Sequence, residues 1–247
     1  MSDGGTFLIT GATGQVAPAT IALLAKRGDA LLLTGRNEER LAELERTYGE
    51  PGRIETFAAD VTTEQGAVGA AEAAVSRLGR LDGLIHMVGG FGAGPVFMTR
   101  VEEYDRLLRV NFLSAVCATQ AVLPHLDGGG RLVFFGSPLA SEPLAALGGY
   151  AAGKAALTAW MRSLSHEVKH RGIHANAVIM TMADTPQARQ ERSHVDFDHA
   201  VTPDLVARVV AFLTGEGADG LYGSLVPVMG KFGFSSALAG PPPRKAG

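Results

Sequence analysis

The chain has 247 residues, one cysteine and a formal net charge of −3. That length buries a full core in one α/β domain. The mild acidity gives no basic footprint for nucleic acid, and a lone Cys117, set in Ala-Val-Cys-Ala-Thr, excludes disulfide frameworks and thiolate metal clusters and reads as a small apolar helix residue. No apolar stretch approaches the roughly 18–20 residues that span a bilayer. The chain enters a strand within a few residues of Met1, which leaves no room for a signal peptide. A cytoplasmic protein with neither membrane nor nucleic-acid partners is expected.

Short apolar runs alternate with longer helical patterns. Strands are predicted over 6–10, 30–34, 54–58, 84–88, 131–135, 174–179 and 225–228, each mostly apolar without alternation, as for strands buried on both faces. Helices are predicted over 15–28, 37–48, 63–78, 101–124, 150–171 and 203–215. Thr62, Thr99 and Thr202 stand before three first turns, with Pro203 at a favourable first helical position. The alternation predicts a single-domain, Rossmann-type α/β fold, a doubly wound parallel sheet with helices on both faces. The domain is expected to cover 1–238, with a flexible tail over 239–247. Two connectors are rich in turn and polar residues, 89–95 and 181–202. Both follow strands, where doubly wound sheets bind ligands, and 181–202 is expected to form a substrate lid.

Thr10-Gly-Ala-Thr-Gly-Gln-Val-Ala17 joins the first strand to the first helix. Gly11 permits a tight turn, Gly14 lets the backbone approach a pyrophosphate, and the helix N-terminus offers free N–H groups to an anion. Thr13, Gln15 and Val16 complete that cofactor-binding turn. The second strand ends in Gly35-Arg36, without the carboxylate that an NAD site uses on the ribose hydroxyls. A guanidinium there pairs with a 2′-phosphate, so NADP(H) is expected and NAD is the alternative. Asp60 and Val61 follow the third strand, placed to meet the adenine edge, with a helix-capping role for Asp60 as the rival. Val88 and Gly89 follow the fourth strand, where Gly89 permits close approach.

Tyr150 and Lys154 stand four residues apart in Gly-Tyr-Ala-Ala-Gly-Lys, thirteen residues after Ser137. An ammonium one helical turn away favours the phenolate and would bring the tyrosine pKa toward neutrality. Ser137, at a strand end, could hydrogen-bond the oxygen that gains or loses the proton.

These pieces together, with Asn111 in Arg-Val-Asn-Phe and Asn176-Ala-Val before a loop holding Asp184-Thr-Pro186, resemble the short-chain dehydrogenase/reductase family across nearly the whole chain. The resemblance implies that Tyr150 is the general acid or base and that Lys154 lowers its pKa and holds the nicotinamide ribose. It further implies that Ser137 polarises the substrate oxygen, Asn111 binds a proton-relay water, and Thr185 reaches the carboxamide or a phosphate. It implies an NADP(H)-dependent oxidoreductase acting on a small carbonyl or alcohol, without a metal. A homodimer or homotetramer is implied too, through the 101–124 and 150–171 helices, with the 221–234 end as a second contact.

Departures are His86-Met-Val-Gly89 in place of Asn-Asn-Ala-Gly, and Met180-Thr181 in place of Pro-Gly. His86 reads as a strand-end packing residue, and Phe91, Phe97, Met180 and Met182 suggest an apolar pocket wall. Val88-Gly-Gly-Phe-Gly92 and Tyr222-Gly-Ser-Leu are similar to dihydropteridine reductases, an alternative that Gly35-Arg36 and Ser137 disfavour. A dinucleotide-sensing regulator on the same fold is the non-catalytic alternative. His194-Val-Asp-Phe-Asp-His199 lacks the spacing to hold a metal on one helical face.

Overall fold

The computed structural model describes residues 4–49, 52–193 and 195–230. The expected boundary at 238, the tail over 239–247, residues 231–234 of the second contact and His194 lie outside the described residues. Strands and helices alternate as β1 (Thr6–Thr10), α1 (Ala17–Arg27), β2 (Ala30–Gly35), α2 (Glu38–Tyr48), β3 (Ile54–Ala58), α3 (Glu64–Leu78) and β4 (Gly83–His86). Then come α4 (Val101–Leu108), α5 (Ser114–Val122), β5 (Gly130–Gly136), α6 (Gly148–Val168), β6 (Ile173–Met180), α7 (Pro186–Glu191), α8 (Pro203–Leu213) and β7 (Leu225–Val228).

The strands pair in parallel in the order β3-β2-β1-β4-β5-β6-β7. The order in which strands are added reverses between β1 and β4, which opens a crevice beyond their carboxyl ends. Successive strand residues point to opposite faces, so the unbroken apolar runs feed two cores. Leu8, Leu32, Leu84, Leu132 and Phe134 pack on one face with the alanines of α3 and α5 and with Leu157 and Met161 of α6. Phe7, Ile9, Leu31, Leu33, Val133 and Phe135 pack on the other with Ile21, Leu41, Val206 and Val210.

Several expected boundaries shift. The fourth strand ends at His86, though the Met87 N–H still bonds the Thr10 carbonyl at 3.0 Å. Thr63 rather than Thr62 caps α3, its hydroxyl accepting from Gly66 N–H, and Arg100 rather than Thr99 precedes α4. Asp60 is likewise not the cap: its carboxylate accepts the Thr62 N–H and hydroxyl just upstream. Residues 181–202 carry a helix of their own, α7, and Ala183 bridges Val201 at the base of the loop.

The predicted fourth helix is two α-helices joined by a π turn, Arg109–Leu113, with Asn111 buried at its centre. There the Ser114 N–H reaches back to the Arg109 carbonyl. The continuous rod Val101–His125 is also long and apolar enough, by length and composition, to cross a membrane, which corrects the expectation that no segment qualifies. Its Leu107, Ala115, Ala118 and Val122 are buried inside this fold, where α4 packs on α6 and α5 on α3.

Candidate functional site

The turn after β1 is built for close approach. Gly11 has φ +72°, and a Cβ there would lie 2.8 Å from the Val88 nitrogen, so only glycine fits. The Gly14 N–H closes the turn on the Gly11 carbonyl at 3.0 Å. α1 then starts after Val16 with no side-chain cap; the Ala17 N–H bonds the Gly14 carbonyl at 3.2 Å and Pro18 has no N–H, so the helix offers a ligand its positive end more than a row of free donors. A Cβ at Gly35 would sit 2.9 Å from the Thr13 hydroxyl, which packs the second strand end tightly against this turn.

Arg36 is exposed, forms no salt bridge among the described residues, and its charge reaches Asp60. Burial raises the Asp60 pKa, but hydrogen bonds from Thr62 and the Arg36 charge bring it below the usual carboxylate value. Val61 is buried in the core, so its side chain offers almost no surface to a ligand. These groups suit a dinucleotide: the positive end of α1 and a glycine cradle face an anion, and Arg36, which forms no salt bridge among the described residues, stands at the end of the neighbouring strand.

At the other end, Ser137 follows β5 and Tyr150 and Lys154 lie one turn apart on α6. The Ser137 hydroxyl accepts the Leu139 N–H at 3.3 Å, lines the same cavity as Tyr150 and acts on the phenol to favour its ionised form. Lys154 is buried, donates to the Phe135 carbonyl at 2.8 Å, and has its pKa lowered to about 8 by burial. The tyrosine does not follow the expected shift. Burial raises its pKa, against which the Ser137 hydrogen bond and the Arg192 charge act. The reason is geometric, since the Lys154 ammonium is directed to the Phe135 carbonyl.

Asn111 closes the back of the site. Its amide nitrogen donates to the Gly90 and Leu107 carbonyls at 2.8 and 3.0 Å, and its oxygen accepts the Gly90 N–H at 3.1 Å. A Cβ at Gly89 would fall 3.3 Å from both that oxygen and the Lys154 ammonium, which brings Gly89, Asn111 and Lys154 into one cluster. Gly153 lets α6 meet the π turn: a Cβ there would lie 3.0 Å from the Leu107 carbonyl oxygen.

His86 is fully buried and bridges two elements. Its Nδ1 pairs with the Thr10 hydroxyl at 2.8 Å and its Nε2 with the Ser114 hydroxyl at 3.1 Å. Ser114 in turn donates to the Val110 carbonyl inside the π turn at 2.7 Å. Burial, with the Lys154 charge, lowers the His86 pKa to about 3, so the ring is neutral. A neutral ring that donates to Ser114 and accepts from Thr10 satisfies every partner.

A cavity of about 510 Å³ joins the two ends, lined by Gln15 and Val16 on one side and by Ser137, Tyr150 and Thr185 on the other. Thr185 caps α7, its hydroxyl accepting the Ala188 N–H at 3.1 Å. Phe91, Met180 and Met182 form part of the apolar wall, whereas Phe97 is 84% exposed and lies outside it. Arg192, Leu139, Leu144 and Leu147 also line the cavity, and none was singled out from the sequence. Thr185-Pro186, a capping residue with proline behind it, was the available signal that a helix would carry Arg192 to the site.

A doubly wound parallel sheet with this glycine turn and a serine–tyrosine pair facing one cavity defines a Rossmann-type oxidoreductase. The short chain dehydrogenase family model matches residues 5–196, and the chain belongs to that family. Its members use NAD or NADP. Among relatives, the chain is 30% identical over 241 residues to a 4-formylbenzenesulfonate dehydrogenase of Comamonas testosteroni, covering 90% of this chain and 95% of the relative. It is 26% identical over 239 residues to a 3-oxoacyl-[acyl-carrier-protein] reductase of Thermotoga maritima, covering 92% and 97%. A solved structure of a blue fluorescent protein from a metagenomic library, in complex with NADPH, superposes with TM-score 0.83 at 27% identity, covering 93% of this chain and 98% of that one.

Proposed function

We propose that the protein is an NADP(H)-dependent carbonyl reductase or alcohol dehydrogenase in which Tyr150 exchanges the proton. The observation that carries this reading is the shared cavity, which has the phosphate-type turn on one wall and the Ser137–Tyr150 pair on the other. A bound nicotinamide supplies or accepts the hydride. Tyr150, kept protonated by burial, gives its proton to the carbonyl oxygen, and Ser137 donates a hydrogen bond to that oxygen. Lys154 sits close enough to Gly89 to hold a cofactor ribose and bring positive charge to the phenol's side of the site. Both donors of the Asn111 amide are used, so a relay water would be held as a donor to the amide oxygen's second lone pair or to main-chain carbonyls of the π turn.

Thr13, Gln15 and Val16 with Gly11 and Gly14 are the residues proposed for the pyrophosphate. Arg36 is proposed for the 2′-phosphate, Asp60 with the Val61 backbone for the adenine, and Val88, Gly89 and Thr185 for the nicotinamide. The exposed Arg36 and the absence of a carboxylate at Gly35 support NADP over NAD. A homodimer or homotetramer through the α4–α5 rod and α6 is proposed on the family's habit of assembling.

NADPH oxidation across a panel of aldehydes and ketones tests the enzyme reading. Wild type should reduce at least one, and Tyr150→Phe should lose 10²-fold or more in kcat, in line with the usual worth of a general acid. NADPH binding without turnover of any carbonyl would favour the sensor instead. Arg36→Asp should move preference from NADPH toward NADH by at least tenfold in kcat/KM, and an unmoved preference removes Arg36 from the argument.

A further inference from the structure

We propose that Arg192 is a specificity-determining residue that selects substrates carrying a carboxylate at the end opposite their reacting carbonyl or alcohol, a proposal that rests on the oxidoreductase reading above. Arg192 lines the same cavity as Ser137 and Tyr150. Its guanidinium lies over the Phe91 ring, 5.1 Å from the centroid, and the Phe91 and Tyr150 ring centroids are 5.2 Å apart. Phe91 thus touches both the cation and the ring of the proton-exchanging group.

Arg192 forms no salt bridge among the described residues. Its recorded contacts are the Phe91 face and the Met182 sulfur, 3.1 Å from Nη1. A thioether is a weak acceptor, so most of the five guanidinium donors are left for a ligand. Arg189, one turn earlier, shows the contrast: it holds both Asp184 oxygens, at 2.5 and 2.8 Å. Among the described residues, Glu191 is the other charged residue lining the cavity. Its carboxylate accepts from the Gln187 amide at 2.6 Å and lies beyond ion-pair distance of Arg192.

An unpaired planar cation against apolar walls attracts a carboxylate more strongly than it would in water, and can take it through two parallel hydrogen bonds. Leu139, Leu147, Met180 and Val195 line the same cavity and accept an apolar body. The Arg192 charge already reaches the Tyr150 phenol, where it opposes the effect of burial. Cation and acid thus face one volume.

The test compares 4-formylbenzoate with 4-formylbenzamide, its neutral isostere, in wild type, Arg192→Gln and Arg192→Lys with NADPH. The wild-type kcat/KM ratio should favour the benzoate by tenfold or more, and Arg192→Gln should bring it near one, chiefly through KM. Arg192→Lys should recover part of it, because charge is kept and the fork is lost. Any change in Tyr150 acidity affects both aldehydes and cancels in the ratio. A wild-type ratio near one, or a ratio unchanged in Arg192→Gln, overturns the proposal and leaves the oxidoreductase reading standing.

If neither aldehyde is reduced, calorimetric titration of 4-(hydroxymethyl)benzoate into the NADP-loaded protein decides. Binding weakened tenfold or more by Arg192→Gln supports the anion site even though the redox reading has failed for these compounds. Equal binding by the two proteins, or none by either, overturns it.

Discussion

Lys154 carries a burial cost large enough to measure. The residue is 5% exposed and its pKa is lowered from 10.5 to about 8, with burial as the cause. Between those two values the unfolded chain holds a proton that the folded chain has released. Stability of the cofactor-free protein therefore rises with pH across that window. Below it both states are protonated and the penalty is constant; above it neither is and the penalty vanishes. The shift corresponds to roughly 3 kcal/mol.

Lys154→Met keeps the length of the side chain and removes the charge. It also deprives the Phe135 carbonyl of its donor, a loss of about 1–3 kcal/mol that partly offsets the relief at neutral pH. Absolute stabilities near pH 7 are therefore a poor readout, and the pH dependence of the difference is a sharp one. In urea melts of the cofactor-free proteins, wild-type stability relative to the variant should climb by about 3 kcal/mol from pH 8 to pH 10.5. Other titrating groups are common to both proteins and cancel. A difference that stays flat across the window refutes burial as the origin of the lowered pKa. The variant should also lose turnover, since nothing then holds positive charge beside Gly89 and Tyr150.

The neutral His86 makes the opposite prediction in acid. Its folded pKa of about 3 lies below the unfolded value of 6.5, so stability falls as pH drops below 6.5. Relative to His86→Asn, wild type should lose about 2 kcal/mol between pH 7 and pH 5, read from urea midpoints; parallel curves would mean that the ring is not buried neutral. Gly153→Ala puts a methyl 3.0 Å from the Leu107 carbonyl oxygen and 3.1 Å from the Asn111 Cβ. It should cost about 1–3 kcal/mol and lower kcat by prising α6 off the π turn, whereas a wild-type melting temperature would show that the contact is slack.

How far the chain could be read without its structure depends on whether the deciding contacts were local. The strands were legible because a parallel sheet buried on both faces needs continuous apolar runs, and Leu31–Leu33 or Leu132–Phe135 cannot serve another purpose. The turn at Gly11 and Gly14 was legible for a similar reason, since its glycines answer a steric demand inside eight residues. Asn111 shows where that ends. Nothing in Arg-Val-Asn-Phe-Leu marks a π turn; what surrounds it there is Ser114 bonding the Val110 carbonyl, His86 bonding Ser114, and Gly153 admitting α6, contacts that mostly cross tens of residues.

The tyrosine acidity fails in the same way. Four-residue spacing brings Lys154 within one turn of Tyr150, but the ammonium bonds a carbonyl on β5, and the influences that reach the phenol come from Ser137 and Arg192. Spacing along a helix therefore specifies which groups can meet. Whether a lysine acts on its neighbour or on the sheet behind it is decided by backbone that the helix itself does not contain. For this reason Lys154 is better tested through its own titration than through the acidity it lends to Tyr150.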